Sequence, residues 1–431
     1  MKTELDFSKS KQYFHLAKQL IPSCTQTFSK GYTQFPFGAA PVFLEKGAGS
    51  RVWDVDGNEY IDYAMALGPV ILGYAYPAVD QAIIAQLNKG IIYSLPHRLE
   101  VELAEVLKEI IPCAEMVRFA KNGSDATSGA VRTARAYTGR DKIACCGYHG
   151  WQDWYIGTTT RRKGIPEAVQ ALTLSFEYNN IENLRSLFDL HRGEIAAVIM
   201  EPVGVVEPAP GFLQKVKDLA HDNGALLIFD EIVTGFRLAL GGAQELYGVV
   251  PDLACFGKAI ANGMPLSAVV GKKQFMEEFD EIFFSFTSGG ETLSLAAAVA
   301  TIKEFRQEKV VAHLWALGGK LKDGYNRLAK KHRLENLTEC IGLPPRTVIT
   351  FKESSGRDPL VLKTLLQQEA IGRGVLCSGS HNLCYAHTTE DIDRTLSVYD
   401  ESIGAITSAI KDGDLTKFVK GKVIQPVFRK A

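Results

Sequence analysis

The stretch from Leu226 to Gly271 constrains this chain most. It reads LLIFDEIVTGFRLALGGAQELYGVVPDLACFGKAIANGMPLSAVVG. Leu226–Phe229 is a short apolar run of the kind that forms a strand buried on both faces, and it ends in Asp230 and Glu231. Pro251 and Asp252 open a second such run, Leu253–Phe256, which ends in Gly257 and Lys258. Such strands belong to open α/β sheets, whose ligands bind beyond the carboxyl ends of the strands. A desolvated amine facing an acid there is what Schiff-base chemistry requires. The same two residues also read as a structural ion pair or as solvated loop positions. Gly257 lets backbone approach a ligand closely, and Gly263 and Pro265 hold the turn that follows.

The rest of the chain bounds what such a site can serve. With 431 residues, 46% of them hydrophobic and 23% charged, there is length for one large domain and a smaller one. A net charge of −1 gives no attraction for nucleic acid or an anionic membrane. The N-terminal MKTELDFSKSKQYFHLAKQL lacks the apolar core of a signal peptide, and no run of about eighteen apolar residues follows, so a cytoplasmic protein is expected. The eight cysteines form no C-x-x-C pair and no metal-ligand spacing, so no metal is expected, and free thiols in a reducing compartment are.

Taken in order, Ser10–Leu20 reads as an amphipathic helix, and Val52–Val55 and Glu59–Asp62 flank the hairpin signal Asp56-Gly57. The Gly47–Gly49 pair has no third glycine and no helix after it, which argues against a dinucleotide site. Helices are expected at Tyr76–Asn88 and Glu100–Ile111. Met116–Phe119 then reads as a strand, Asn122-Gly123-Ser124 as a tight loop, and Asp125–Tyr137 as a helix ended by Gly139. Unpaired N–H groups and a partial positive charge at that helix N-terminus make a phosphate site, although Ser124 also reads as a plain N-cap. Lys142–Cys146 is a buried strand ending in Gly147-Tyr148-His149-Gly150. Tyr148 reads as a stacking ring or a core tyrosine, and His149 as a structural hydrogen bond or a substrate contact. Ile195–Met200 ends in another acid, Glu201. From about Val310 the pattern becomes a long helix, a short strand at Thr347–Phe351 and a helix at Leu360–Gly372, a smaller α+β domain.

These motifs together resemble the class III (subgroup II) pyridoxal-phosphate aminotransferases. D-E-I-V-T-G-F-R followed by P-D-L-A-C-F-G-K-A-I-A-N-G-M-P carries the likeness, which spans roughly Ala40 to Phe305 and is most similar to glutamate-1-semialdehyde aminomutase and its relatives. The resemblance implies an α/β enzyme of fold type I. Its large domain (71–309) has a mostly parallel sheet, and an N-terminal segment (1–70) packs with a small C-terminal domain (310–431). It implies pyridoxal 5'-phosphate on Lys258, with Asp230 at the pyridine nitrogen and Glu201 supporting that acid. Tyr148 and Ile232 clamp the ring. Gly123 and Ser124 bind the phosphate, in K-N-G-S-D-A where the family has N-S-G-T-E-A. Thr287, in FFSFTSGGETL, would bind the phosphate of the neighbouring subunit's cofactor, so a homodimer with shared active sites is implied. A non-catalytic cofactor-binding or regulatory homologue is disfavoured by the presence of Lys258, Asp230 and Gly123.

The substrate residues depart from the aminomutases. Their S-P-V-R arginine has no counterpart in F-S-K-G-Y-T-Q-F, where Lys30 is the only cation. Their gating glutamate is missing from S-G-S-H-N-L-C-Y ahead of Ala386-His387-Thr388, and Phe283 or Phe284 stands where they carry a tyrosine. Lys30, Trp53 and His149 are the candidate substrate contacts. The expectation is an aminotransferase with an L-glutamate donor and a carbonyl acceptor. The C-terminal VIQPVFRK is similar to relatives that look like surface-polysaccharide or amino-sugar aminotransferases, which points to a keto-sugar. The alternative is the aminomutase itself.

Overall fold

The computed structural model describes residues 5–353 and 356–428; Arg429 and Lys430 of the VIQPVFRK stretch lie outside the described residues. Two compact units emerge, one running Pro77–Val311 and the other joining the chain up to Tyr76 with the chain from Ala312.

The Pro77–Val311 unit is built on a seven-stranded sheet. Its order is Met116–Ala120, Ser267–Gly271, Leu253–Phe256, Leu226–Asp230, Ile195–Met200, Lys142–Cys146, Thr173–Ser175. The last five of these are mutually parallel. Every residue of Ile195–Met200, Leu226–Asp230 and Leu253–Phe256 is buried, as continuous apolar runs covered on both faces must be. Polar side chains are therefore expelled to the strand ends. Ser267–Gly271 runs antiparallel to both of its neighbours. The turn at Gly263–Pro265 is too short for a crossover, so the chain can only reverse.

Helix Gly123–Thr138 starts two residues before the Asp125 expected from sequence, because Asn122 forms a capping box with Asp125. It ends at Gly139 in the left-handed conformation. The face it turns to the sheet is built of small residues, among them Ala126, Gly129, Ala130 and Ala134.

The other unit holds two smaller sheets. One orders Leu44–Ala48, Arg51–Asp54, Glu59–Asp62 and Val375–Leu376. The second orders Thr338–Leu343, Arg346–Phe351 and Ser380–Asn382. Helices Ser8–Leu20, Pro359–Ile371 and Thr389–Asp412 belong to this unit, as does helix Val310–Lys331 from Ala312 onward. Among the described residues no helix is long and apolar enough to cross a membrane, and no group of residues could hold a metal ion.

Candidate active site

Asp230 ends its strand, and Lys258 lies just beyond the end of the adjacent parallel strand, where Asp230 pairs with Cys255. Both therefore sit at the carboxyl edge of the sheet. Asp230 is 3% exposed, and both its oxygens are engaged. Oδ1 accepts the Ile232 N–H at 3.1 Å, and Oδ2 lies 2.8 Å from His149 Nδ1. Lys258 has φ +42°, a left-handed conformation that costs a side-chain-bearing residue of order 1 kcal/mol and persists only where the surroundings enforce it. It opens the short 3₁₀ turn Lys258–Ala261.

The phosphate-type cradle lies at the start of helix Gly123–Thr138. Ser124 is buried there, and its Oγ accepts the Trp151 N–H at 3.2 Å. Thr127 Oγ1 donates to the His149 carbonyl at 2.8 Å, which ties the helix to the 147–150 loop. Gly150, at φ +105°, lies so close that a Cβ there would collide with Ser124 Oγ. A Cβ on Gly123 would reach Ile232 at 3.2 Å, and one on Gly257 would reach it at 3.0 Å. The Ile232 side chain is thus wedged against two bare stretches of backbone.

Tyr148 is half exposed, and its phenol is pushed up by partial burial and by the charge of Asp230. Its N–H donates to Glu201 Oε2 at 3.1 Å. Glu201 was expected to support Asp230; here its carboxylate meets the Tyr148 N–H. The Glu201 N–H bonds the Cys146 carbonyl, which draws the residue to the 147–150 loop, and Asp230 is held by His149 instead.

The Pro77–Val311 unit thus carries Gly123, Ser124, Tyr148, His149, Glu201, Asp230, Ile232 and Lys258 around one sheet edge and the loops that border it. Thr287 is exposed in a turn of the same unit. Trp53 and Lys30 belong to the other unit. Lys46 Nζ lies 4.4 Å from the Trp53 ring centre. Lys30 lines a cavity of about 440 Å³ with Asp62, Tyr74, Phe35, Leu67 and Ser378. Burial raises the Asp62 carboxyl there, against hydrogen bonds from Tyr74 and the Ala64 and Met65 N–H groups.

Sequence reasoning missed Glu231, fully buried, which accepts from the Thr234 hydroxyl and from the Ala243 and Gln244 N–H groups. Its burial raises its carboxyl. Trp154 and Tyr155, which flank His149, were missed as well. The W-x-x-W-Y run directly after Gly150 was the available signal.

An amine and a buried acid at neighbouring strand ends, a helix N-terminus that opens on Gly123 and Ser124, and an aromatic beside the acid all fit pyridoxal phosphate. Mostly parallel sheets bearing such groups at the carboxyl edge are those of pyridoxal-phosphate enzymes of fold type I. Residues 34–412 match the aminotransferase class-III family, and the chain belongs to it, as a pyridoxal-phosphate-dependent transaminase. Over 417 residues it is 38% identical to the 3-aminobutyryl-CoA aminotransferase of Cloacimonas acidaminovorans (strain Evry), covering 94% of this chain and 99% of that one. Its fold is similar to the FumI protein of Sphingopyxis sp. MTA144, solved with its PLP internal aldimine. That likeness has a TM-score of 0.89 and 29% identity, over 96% of this chain and 100% of the other. A β-phenylalanine aminotransferase from Variovorax paradoxus is also similar, with a TM-score of 0.83 and 26% identity over 93% and 95% of the two chains.

Proposed function

We propose that this transaminase moves an amino group between L-glutamate and a 3-oxoacyl compound, with Lys258 and Asp230 as its catalytic residues. The observation that carries the catalytic assignment is the strained Lys258 at a strand end beside the buried Asp230. The cofactor supplies the electron sink. Lys258 Nζ would hold the cofactor through its aldehyde and, once freed by an incoming amine, would serve as the acid and base that moves the proton in amino transfer. Asp230 offers its carboxylate to the proton on the ring nitrogen. Tyr148 and Ile232 hold the two ring faces. Gly123 and Ser124 hold the phosphate at the helix N-terminus, and Glu201 fixes the loop that carries Tyr148.

Two observations support the acceptor. The segment F-S-K-G-Y-T-Q-F carries Lys30 as its only cation and lacks the arginine that would clamp a free carboxylate. The relative at 38% identity is named for a 3-aminobutyryl thioester. A keto-sugar, the acceptor suggested by the C-terminal stretch, meets the same requirement of a carbonyl without a neighbouring carboxylate. Lys30 and Trp53 remain the residues proposed to meet the substrate.

A homodimer in the cytoplasm completes the proposal, with Thr287 serving the phosphate of the neighbouring copy. Ile91, Ile92, Leu95, Val101, Met116 and Phe283 are exposed, a large apolar surface for a lone chain. All eight cysteines are free thiols, as a reducing compartment keeps them.

The test is the absorbance spectrum of the purified protein before and after L-glutamate, without acceptor. A visible band that gives way to the near-ultraviolet pyridoxamine band is expected, and Lys258→Ala should abolish the visible band and turnover. Reoxidation of the aminated protein by a 3-oxobutyryl thioester, and not by keto-sugars, is the second expectation. Formation of 5-aminolevulinate from the semialdehyde with no external donor would instead make the protein an aminomutase.

A further inference from the structure

Lys121 stands directly before the Asn122-Gly123-Ser124 cradle, where the family motif opens on asparagine. A lysine reaches farther than an asparagine and ends in a charge with three hydrogens to donate. Three acceptors surround that ammonium. Nζ lies 2.9 Å from Glu291 Oε2, 3.2 Å from the Pro265 carbonyl oxygen and 3.4 Å from Ser294 Oγ. The side chains of Lys121 and Glu291 are only 19% and 12% exposed, so water and salt screen this pair far less than a surface one.

The acceptors lie on two other segments of the site. Pro265 ends the bend that follows the Lys258–Ala261 turn, and Ser267 just beyond it donates its hydroxyl to the Asn122 carbonyl at 2.7 Å. Glu291 follows the turn that carries Thr287, and its N–H donates to the Ser288 carbonyl at 3.3 Å. It also caps helix Thr292–Gln307, where Oε1 accepts the Leu293 N–H at 2.6 Å and Oε2 the Ser294 hydroxyl at 2.5 Å. Burial pushes the Glu291 carboxyl up, but Ser294 and Lys121 outweigh burial and hold it below the usual value.

We infer that Lys121 is a positioning residue: it fixes the separation between the Gly123–Ser124 cradle and the segment that bears Lys258, and ties both to the Thr287 turn. This rests on the proposal that Lys258 holds the cofactor by its aldehyde and that Gly123 and Ser124 hold it by its phosphate. A rigid ligand gripped at two ends binds tightly only if the two grips already stand at the right distance, because ordering them on binding is subtracted from affinity. Lys121 does that ordering in advance. Without it the Glu291 carboxylate and the Pro265 carbonyl each lose a donor, and the three segments are no longer joined at one point.

The test titrates the full-length apoprotein with pyridoxal phosphate and, separately, with pyridoxal, which lacks the phosphate and so has only one grip. Lys121→Met should weaken pyridoxal phosphate about 10- to 100-fold, the scale typical of losing a residue that orients ligand-holding groups. Pyridoxal affinity should stay as it is in the unaltered protein. Lys121→Arg, which keeps a charged donor, should bind pyridoxal phosphate more tightly than Lys121→Met. The double variant Lys121→Met, Glu291→Gln should lose no more than Lys121→Met alone, since both act through one contact. Glu291→Gln keeps the helix cap and gives up only the charge, so it should show the same selective loss even if Lys121→Met does not fold. Equal losses for the two ligands, or none for pyridoxal phosphate, would make Lys121 an ordinary structural ion pair and overturn the inference. Lys258→Ala separates the two levels. If it kept the visible band, the cofactor reading itself would fall; if it lost the band while Lys121→Met bound pyridoxal phosphate normally, only the role of Lys121 would.

Discussion

At Gly150 the backbone runs so close to Ser124 that no side chain fits, and φ +105° strains any residue with a Cβ. Gly150→Ala must displace Ser124 from the helix N-terminus. It should cost about 2 kcal/mol of stability and weaken cofactor affinity, which thermal melts with and without pyridoxal phosphate would separate. Single residues were legible in this sequence where a strand end left them no other place. Asp230 and Lys258 stood out because the apolar runs before them must be buried, so the first polar residue after each run marks the edge of the sheet. The partner of Asp230 was not legible. His149 is 81 residues away in sequence, and only the side-by-side placement of strands Lys142–Cys146, Ile195–Met200 and Leu226–Asp230 brings the two together. The partner of Glu201 was not legible for the same reason, since the hydrogen bonds at the end of its strand decide which loop its carboxylate reaches.

Elements were easier to read than their partners. Lys142–Cys146, Ile195–Met200 and Leu253–Phe256 have the bounds that their apolar runs suggest. Ser267–Gly271 was not singled out, because nothing in five small residues says that they will reverse between two strands distant in sequence. One inter-element tie carries a pH prediction. Asp252, 1% exposed, accepts from the Leu227 N–H at 2.9 Å, from Lys272 Nζ at 2.9 Å and from His221 Nε2 at 2.7 Å. Burial pushes its carboxyl up, but these donors outweigh burial and hold it below the usual value. A lowered folded value means that the stabilisation is full above the unfolded value, about 3.9, and fades as pH falls through the folded one. Asp252→Asn should therefore destabilise the protein at neutral pH, by about 1–3 kcal/mol given the partial exposure of Lys272 and His221. It should also flatten the loss of stability in acid, as read from denaturant titrations between pH 7 and pH 3.

On the scale of the whole molecule, the exposed apolar residues at 91–101 and 283–286 are the feature a lone chain leaves unexplained. Leu95 is 79% exposed and Phe283 82%. The double variant Leu95→Asp, Phe283→Asp should change the stability of the isolated fold by no more than about 0.5 kcal/mol per site. It should shift light-scattering mass from dimer to monomer and cut turnover, because each site would lose the Thr287 of its neighbour. An unchanged mass would remove the dimer from the proposal. The α/β class and the mostly parallel sheet followed from the resemblance of the motifs to class III aminotransferases, and the buried apolar runs with polar strand ends agreed with it. The placement of Lys30 and Trp53 could not be read, since it depends on how distant segments fold together.

That joining has its own consequence. Val375 and Leu376 pair in parallel with Ile61 and Asp62, so one sheet waits for residues more than three hundred positions apart. The seven-stranded sheet, by contrast, lies wholly within Pro77–Val311. During synthesis the sheet edge that carries Lys258 can take shape while the first seventy-six residues still lack their strand partner. The order of manufacture then reverses the order of the sequence: the middle of the chain is finished before its beginning.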